Sequence, residues 1–159
     1  MTPFHIACLH GQTEIVDIFL QKAADLNNEL YAKDIRGFTG FRLACSYGHT
    51  RIAEMLLKKY AELNIDLNSK DLDVHEGFRT ACYNGRLSIV EMILQKAVEL
   101  NIDLNLKDDT GHEAFYSVCR NGQLEIAELI MQKSKELKID LNAKRNYYTQ
   151  IVLHEGYMN

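Results

Sequence analysis

The chain has 159 residues, the length of one ordinary domain. Apolar residues make up 47% and charged residues 25%, a globular balance that argues against disorder. A net charge of −4 argues against a basic nucleic-acid platform and supplies no steering toward an anionic membrane. No stretch approaches the ~18 consecutive apolar residues of a membrane span, and the start lacks a charged region followed by an apolar run.

The chain repeats. Cys8, Cys45, Cys82 and Cys119 are each 37 residues apart, as are Gly11, Gly48, Gly85 and Gly122, and Ile15, Ile52, Ile89 and Ile126. The period divides the chain into units 2–38, 39–75, 76–112 and 113–149. Residues 150–159 are left over, either as the start of a degenerate fifth unit or as a C-terminal tail. A fixed period in this range signals a solenoid, propeller or similar array.

The second unit shows the elements in chain order. Gly40 to Ser46 reads as a short helix with small residues on one side, and Gly48 breaks it. Thr50 is placed to cap the next helix. That helix, Thr50 to Leu63, brings Ile52, Met55, Leu56 and Leu63 to helical spacing among good helix formers, with Glu54 four residues before Lys58. Asn64, and Asn101 one period later, can take the left-handed conformation that closes a helix. Ile65 to Asp71 is too polar and irregular for a third helix and reads as an outward turn.

Particular residues resemble the ankyrin repeat family. Thr2-Pro3-Phe4-His5-Ile6-Ala7 resembles the TPLHxA signature, with Phe for Leu. Gly48-His49 resembles the step between the two helices, and Ile52 to Leu57 resembles the family's IVxxLL core. Asp66-Leu67-Asn68 resembles the DVN that starts the turn, and Lys33 to Gly37 resembles its tip. The resemblance implies an all-α solenoid of stacked helix-turn-helix units with protruding β-turn or hairpin loops.

The chain also departs from the family. The period exceeds the usual 33 residues by four, which reads as one more turn of the second helix. The Thr-Pro pair survives only at Thr2-Pro3, so the later first helices are expected to begin less sharply. Gly37 and Gly111 sit at turn tips, but Val74 and Tyr148 replace the other two, so those turns must differ in backbone shape or carry strain. The opening inside a first helix, without a polar capping unit, suggests a fragment of a longer array or a raw end.

Little in the chain points to chemistry. The four cysteines have no CxxC or HxxxH companion, and stacked helices ~8–10 Å apart are too distant for a disulfide, so they read as core packing. Unpaired thiols fit a reducing, intracellular setting, cytoplasmic or nuclear. His75-Glu76, His112-Glu113 and His154-Glu155 are adjacent pairs, which point in different directions and make poor acid–base partners. His5 falls where the resemblance has a structural His. Phosphate-loop, dinucleotide, nucleophile-elbow and zinc-protease motifs are all missing.

The resemblance implies binding through a concave face made of turn tips and first helices. The columns carried over are Leu9 and His10 in the first unit, and Ile35, Arg36, Phe38, Ser46 and Tyr47 in the second. The third unit adds Leu72, Asp73, His75, Tyr83 and Asn84, and the fourth Asp109, Thr110, His112, Arg120 and Asn121. His75 and His112 are expected to be exposed. Tyr47, Tyr83 and Phe38 would be anchors, and Arg36, Arg120, Asp73 and Asp109 would orient the partner. The alternative is that this face is merely solvated. Asn68, Asn105 and Asn142 match the turn asparagine that can be hydroxylated in animal ankyrin repeats, with a turn-stabilising role as the plainer reading.

The leading expectation is therefore a non-catalytic module that binds a protein partner. It is expected to be a monomer, with no cofactor, no metal, no small-molecule substrate, no nucleic acid and no membrane among its partners. The alternative is a structural spacer or fragment of a larger repeat protein whose active part lies elsewhere.

Overall fold

The computed structural model describes residues 1–23, 25, 29–105 and 114–141. Among these it is all-helical: α1 (Pro3–Leu9), α2 (Thr13–Gln21), α3 (Gly40–Tyr47), α4 (Thr50–Glu62), α5 (Val74–Tyr83), α6 (Leu87–Leu100), α7 (Ala114–Arg120) and α8 (Leu124–Leu137). The odd-numbered helices stack in one row and the even-numbered helices in a second. Each odd helix also packs on the even helix that follows it. This is a helical repeat solenoid, whose core is a thin layer between two rows.

Both rows are held at their ends by backbone conformation. Gly48 takes the left-handed conformation (φ 81°) after α3, and Asn64, Asn101 and Lys138 take it after α4, α6 and α8. Asn64 and Asn101 thus close their helices as their side chains allow, while Lys138 does so at the usual cost of a Cβ there. Thr50 is the first helical residue and not the cap; His49 stands at the cap position without a side-chain cap bond. His49 instead donates from Nε2 to the Leu9 carbonyl at 2.9 Å, tying the end of α1 to the next unit.

The second helices span 13 residues in α4 and 14 in α6 and α8, but only 9 in α2. The added turn is therefore present in the last three. Beyond α2 the backbone tightens, with Ala23 N–H bonding Leu20 O and Asp25 N–H bonding Lys22 O. Tyr60, which stands 37 residues from Ala23 and Ala97, is fully buried and donates its hydroxyl to the Leu30 carbonyl at 2.8 Å. Burial pushes the Tyr60 phenol well above its ordinary value, so it stays a neutral donor.

The loss of the Thr-Pro pair has a packing cause. A Cβ on Gly40 would lie 2.7 Å from the Phe4 ring and 2.9 Å from Cys8 Sγ. A Cβ on Gly77 would lie 2.5 Å from the Phe41 ring and 3.1 Å from Cys45 Sγ. Phe4 and Phe41 fill the space over Gly40 and Gly77 at the start of the next unit's first helix, whereas the fourth unit carries Ala114 in that column. Pro3 occupies the same column in the first unit. Its helix starts sharply, with Thr2 and His5 forming a reciprocal capping box.

The cysteines line this same seam. Cys8, Cys45 and Cys82 are buried and Cys119 half-buried. Burial pushes the Cys8 thiol up to about 12 and Cys119 to about 11, and raises Cys45 and Cys82 as well. Such thiols are protonated and poor nucleophiles at neutral pH.

Candidate protein-binding face

The inner surface combines the turn tips with the solvent side of the first helices. One carbonyl at the end of each of α1, α3 and α5 is taken by the following unit. Arg86 Nε donates to the Ser46 carbonyl at 3.2 Å and Asn84 Nδ2 at 3.4 Å. Asn121 Nδ2 donates to the Tyr83 carbonyl at 3.3 Å. This ladder fixes the ends of α3 and α5, where Tyr47 and Tyr83 are 51% and 53% exposed. Two half-exposed aromatics thus stand at the same end of neighbouring helices. His10, Asn84, Arg120 and Asn121 are exposed, while Leu9 and Ser46 are half-buried.

The second unit's tip is a tight turn. Gly37 N–H bonds Asp34 O at 2.9 Å, and Gly37 adopts φ 80° with open space around it. Asp34 is enclosed. Its Oδ1 accepts the Arg36 and Phe38 backbone N–H groups at 2.8 and 3.0 Å, and its Oδ2 accepts Arg36 Nε and Nη2 at 3.2 and 3.0 Å. Burial alone would raise this carboxyl; the N–H bonds and the Arg36 guanidinium overcome that and hold it below the ordinary range. The turn presents Ile35 at 94% exposure with Arg36 beside it.

Phe38 is placed differently from an exposed anchor. It is half-buried against the core, and two guanidinium groups lie over its ring, Arg42 at 3.9 Å and Arg36 at 4.9 Å from the centroid. It holds cations in place and offers little bare apolar surface. Arg42, Glu76 and Arg79, which the sequence did not single out, complete the cluster. Arg79 grips Glu76 at 2.7 Å, and Arg42 stands 3.9 Å from the same carboxylate. The Arg42–Glu76 contact joins two units and has no spacing rule in the chain, whereas Phe38 with Arg42 and Glu76 with Arg79 are local pairs, four and three residues apart.

The third unit's tip corrects the expected face. Leu72, Asp73 and His75 are buried, at 1%, 3% and 8% exposure. Val74 replaces the tip glycine, and a β-branched residue does not take a positive φ readily. The left-handed residue is Asp73 instead (φ 57°), after a 3-10 turn over Lys70–Leu72. The helix then begins at Val74, three residues earlier than α3 does in its unit, and carries His75 inside. Asp73 becomes a clamp: it accepts Lys33 Nζ at 3.1 Å and the Thr39 backbone N–H at 3.4 Å, on either side of the preceding tip. Burial holds the His75 imidazole below its ordinary value, and its Nδ1 is enclosed without a partner.

Asp109, Thr110, His112 and Asn142 lie outside the described residues. Asn68 and Asn105 are both committed to neighbours. Asn68 donates from Nδ2 to the Asn101 carbonyl at 3.2 Å and accepts Asp103 N–H at 2.7 Å. Asn105 does the same with the Lys138 carbonyl and Asp140 N–H, at 2.8 and 2.9 Å. His5 is also structural, its Nε2 donating to the Ala32 carbonyl at 2.8 Å.

A family model described as ankyrin repeats (3 copies) matches residues 1–71. Over those residues the chain is similar to ankyrin repeats. A comparison with curated proteins finds no match. Ankyrin repeats are in general protein–protein interaction modules and are typically non-catalytic. Among the described residues of these repeats, no helix is long and apolar enough to cross a membrane, and no group of three metal-capable side chains converges. A cleft of about 480 Å³ lies on the opposite, outer row, between α2 and α4, lined by Leu20 and Met55 under a rim that includes Asp17, Arg51, Lys58 and Lys96. Its rim mixes both signs of charge without a convergent set.

Proposed function

We propose that the inner face of the second and third units, in an array divided at 2–38, 39–75, 76–112 and 113–149, binds a protein partner without catalysis or cofactor. The observation that carries this reading is the pair Tyr47 and Tyr83. Each is half-exposed at the end of a first helix that the next unit holds through one carbonyl, that of Ser46 or of Tyr83. A rigid scaffold presenting aromatic side chains with few rotors is the arrangement that yields binding hot spots. Ile35 and Arg36 extend the face at one end, and Arg120 and Asn121 at the other. Leu72, Asp73 and His75 support it from inside.

The test is affinity capture from the native source, followed by titration of the captured partner against Tyr47→Ala with Tyr83→Ala. At least a tenfold loss is expected. Unchanged affinity with unchanged thermal unfolding overturns this face. A structural spacer is the second reading, favoured by Ile6, Ile15 and Ile18, which are exposed on the first unit. The equivalents of Ile6 and Ile15, Leu43 and Ile52, are fully buried, and that of Ile18, Met55, is half-buried. A transcript that adds further 37-residue units, together with no partner in the capture, would favour the spacer.

A further inference from the structure

Arg42 is a guanidinium short of acceptors. About a fifth of its side chain is open to solvent, its Nε is enclosed without a partner, and its nearest carboxylate, Glu76, is 3.9 Å away. Glu76 is already gripped by Arg79 at 2.7 and 3.2 Å. Asp34, the other carboxylate of the cluster, spends both oxygens on the turn and on Arg36. Among the described residues, both carboxylates near Arg42 are therefore already engaged by other groups. The Phe38 ring compensates Arg42 on one face only. A largely buried cation without hydrogen-bonded acceptors is costly, and a planar carboxylate is the group that a planar guanidinium fork takes best.

We infer that this cluster is a carboxylate subsite, which receives an Asp or Glu side chain from an extended segment of the protein partner. The inference rests on the reading of the inner face as a protein-binding surface and names the chemistry of what binds there. The acid sits between Arg36 and Arg42 on the Phe38 ring. The segment then runs along α3 toward Tyr47. α3 has 8 residues, a length of about 12 Å at the helical rise. An extended chain covers that distance in about four residues. The partner segment therefore carries an acidic residue and, roughly four positions away, an apolar or aromatic residue that contacts Tyr47 and Tyr83. Long-range attraction does not account for such a preference, because the whole chain carries −4. The selection is local.

The test is a selection from a displayed library of random 12-residue peptides against the full chain at physiological salt. Enriched peptides are expected to carry Asp or Glu, and replacing that residue by Gln or Asn in the synthetic peptide should weaken binding at least tenfold. That arm leaves the protein untouched, so no folding defect can produce it. Arg42→Gln is expected to weaken the acidic peptide equally but to leave its Gln version unaffected, and Arg42→Lys to rescue little, since a point charge lacks the fork. Arg36→Gln serves where Arg42→Gln lowers the thermal midpoint. Peptides without an acidic preference, lost on Tyr47→Ala with Tyr83→Ala but not on either Arg change, overturn the subsite and leave the face standing. Peptides insensitive to all of these changes, or no enriched peptide at all, overturn both.

Discussion

The tips of the second and third units descend from the same 37-residue pattern and do opposite work. In the second, Gly37 supplies the positive φ, Asp34 ties the turn to itself, and Ile35 and Arg36 stand in solvent. In the third, Val74 forces the left-handed residue one place earlier, the helix starts sooner, and Leu72, Asp73 and His75 turn inward. Asp34 organises its own turn in one tip, whereas in the other Asp73, in the column of Arg36, clamps onto the neighbour. One side chain at the tip thus decides whether a variable column faces a partner or the next unit. A column can vary among repeats because it is free, or because each repeat solves the same packing problem differently.

The contrast can be broken most strongly at Asp73. Asp73→Ala removes the acceptor for Lys33 and for the Thr39 N–H, and should destabilise the chain by ~1–3 kcal/mol, discounted because Lys33 is half-exposed. Denaturant unfolding with an unchanged slope is the measurement. Gly77→Ala sets a Cβ against the Phe41 ring and should cost about 1–3 kcal/mol by overpacking. Adding Phe41→Leu should recover part of that loss if the seam is what matters. Gly37→Val imposes on the second tip the residue of the third. Nothing lies near the new side chain, so the cost should be conformational alone, about 1–2 kcal/mol, unless the tip reorganises as the third has.

The two tips should also differ in their response to pH. Burial holds His75 below its ordinary 6.5, with Asp73 and Glu76 pulling it up and Lys70 and Arg79 pushing it down. The unfolded chain therefore takes up the proton first. The stability that neutral His75 contributes is complete above about 6.5 and is lost as pH falls below it. Asp34 is depressed from 3.8, so its contribution is complete above that value and is lost only as pH falls through its lower folded value. Thermal midpoints measured from pH 8 to pH 3 should fall in two steps, with His75→Gln removing the upper and Asp34→Asn the lower. A single step untouched by His75→Gln would refute the assignment. The smallest effect concerns the thiols. Cys119 should react with a thiol reagent before Cys8, Cys45 and Cys82, and the order should vanish in denaturant.

Much of the fold was legible because repetition multiplies a weak signal. One Asn after an apolar helix is a hint, but Asn64 and Asn101 in the same column both prove to be left-handed caps. The expected helices 40–46 and 50–63 appear as Gly40–Tyr47 and Thr50–Glu62. The candidate face was legible in part. Ile35, Arg36, Tyr47 and Tyr83 are on the surface, whereas Phe38 lies under two guanidinium groups and three residues of the third tip are inside. Among the missed residues, Arg42 meets Glu76 only because adjacent first helices stack, whereas Glu76 and Arg79 pair at i,i+3 spacing along α5.

Sequence alone determined the period, the pairing of a short with a longer helix, the cysteine seam and the turns that Gly and Asn make possible. These follow from local propensity and from an apolar pattern that every unit repeats. Tertiary structure decided which face each variable residue joins. It put Gly at 40 and 77 because a Phe from the preceding unit fills the space above, and it turned Asp73 into a clamp because Val74 cannot take the glycine's conformation. Those outcomes depend on contacts between residues some 37 positions apart, where excluded volume and unsatisfied polar groups, not local preference, set the free energy.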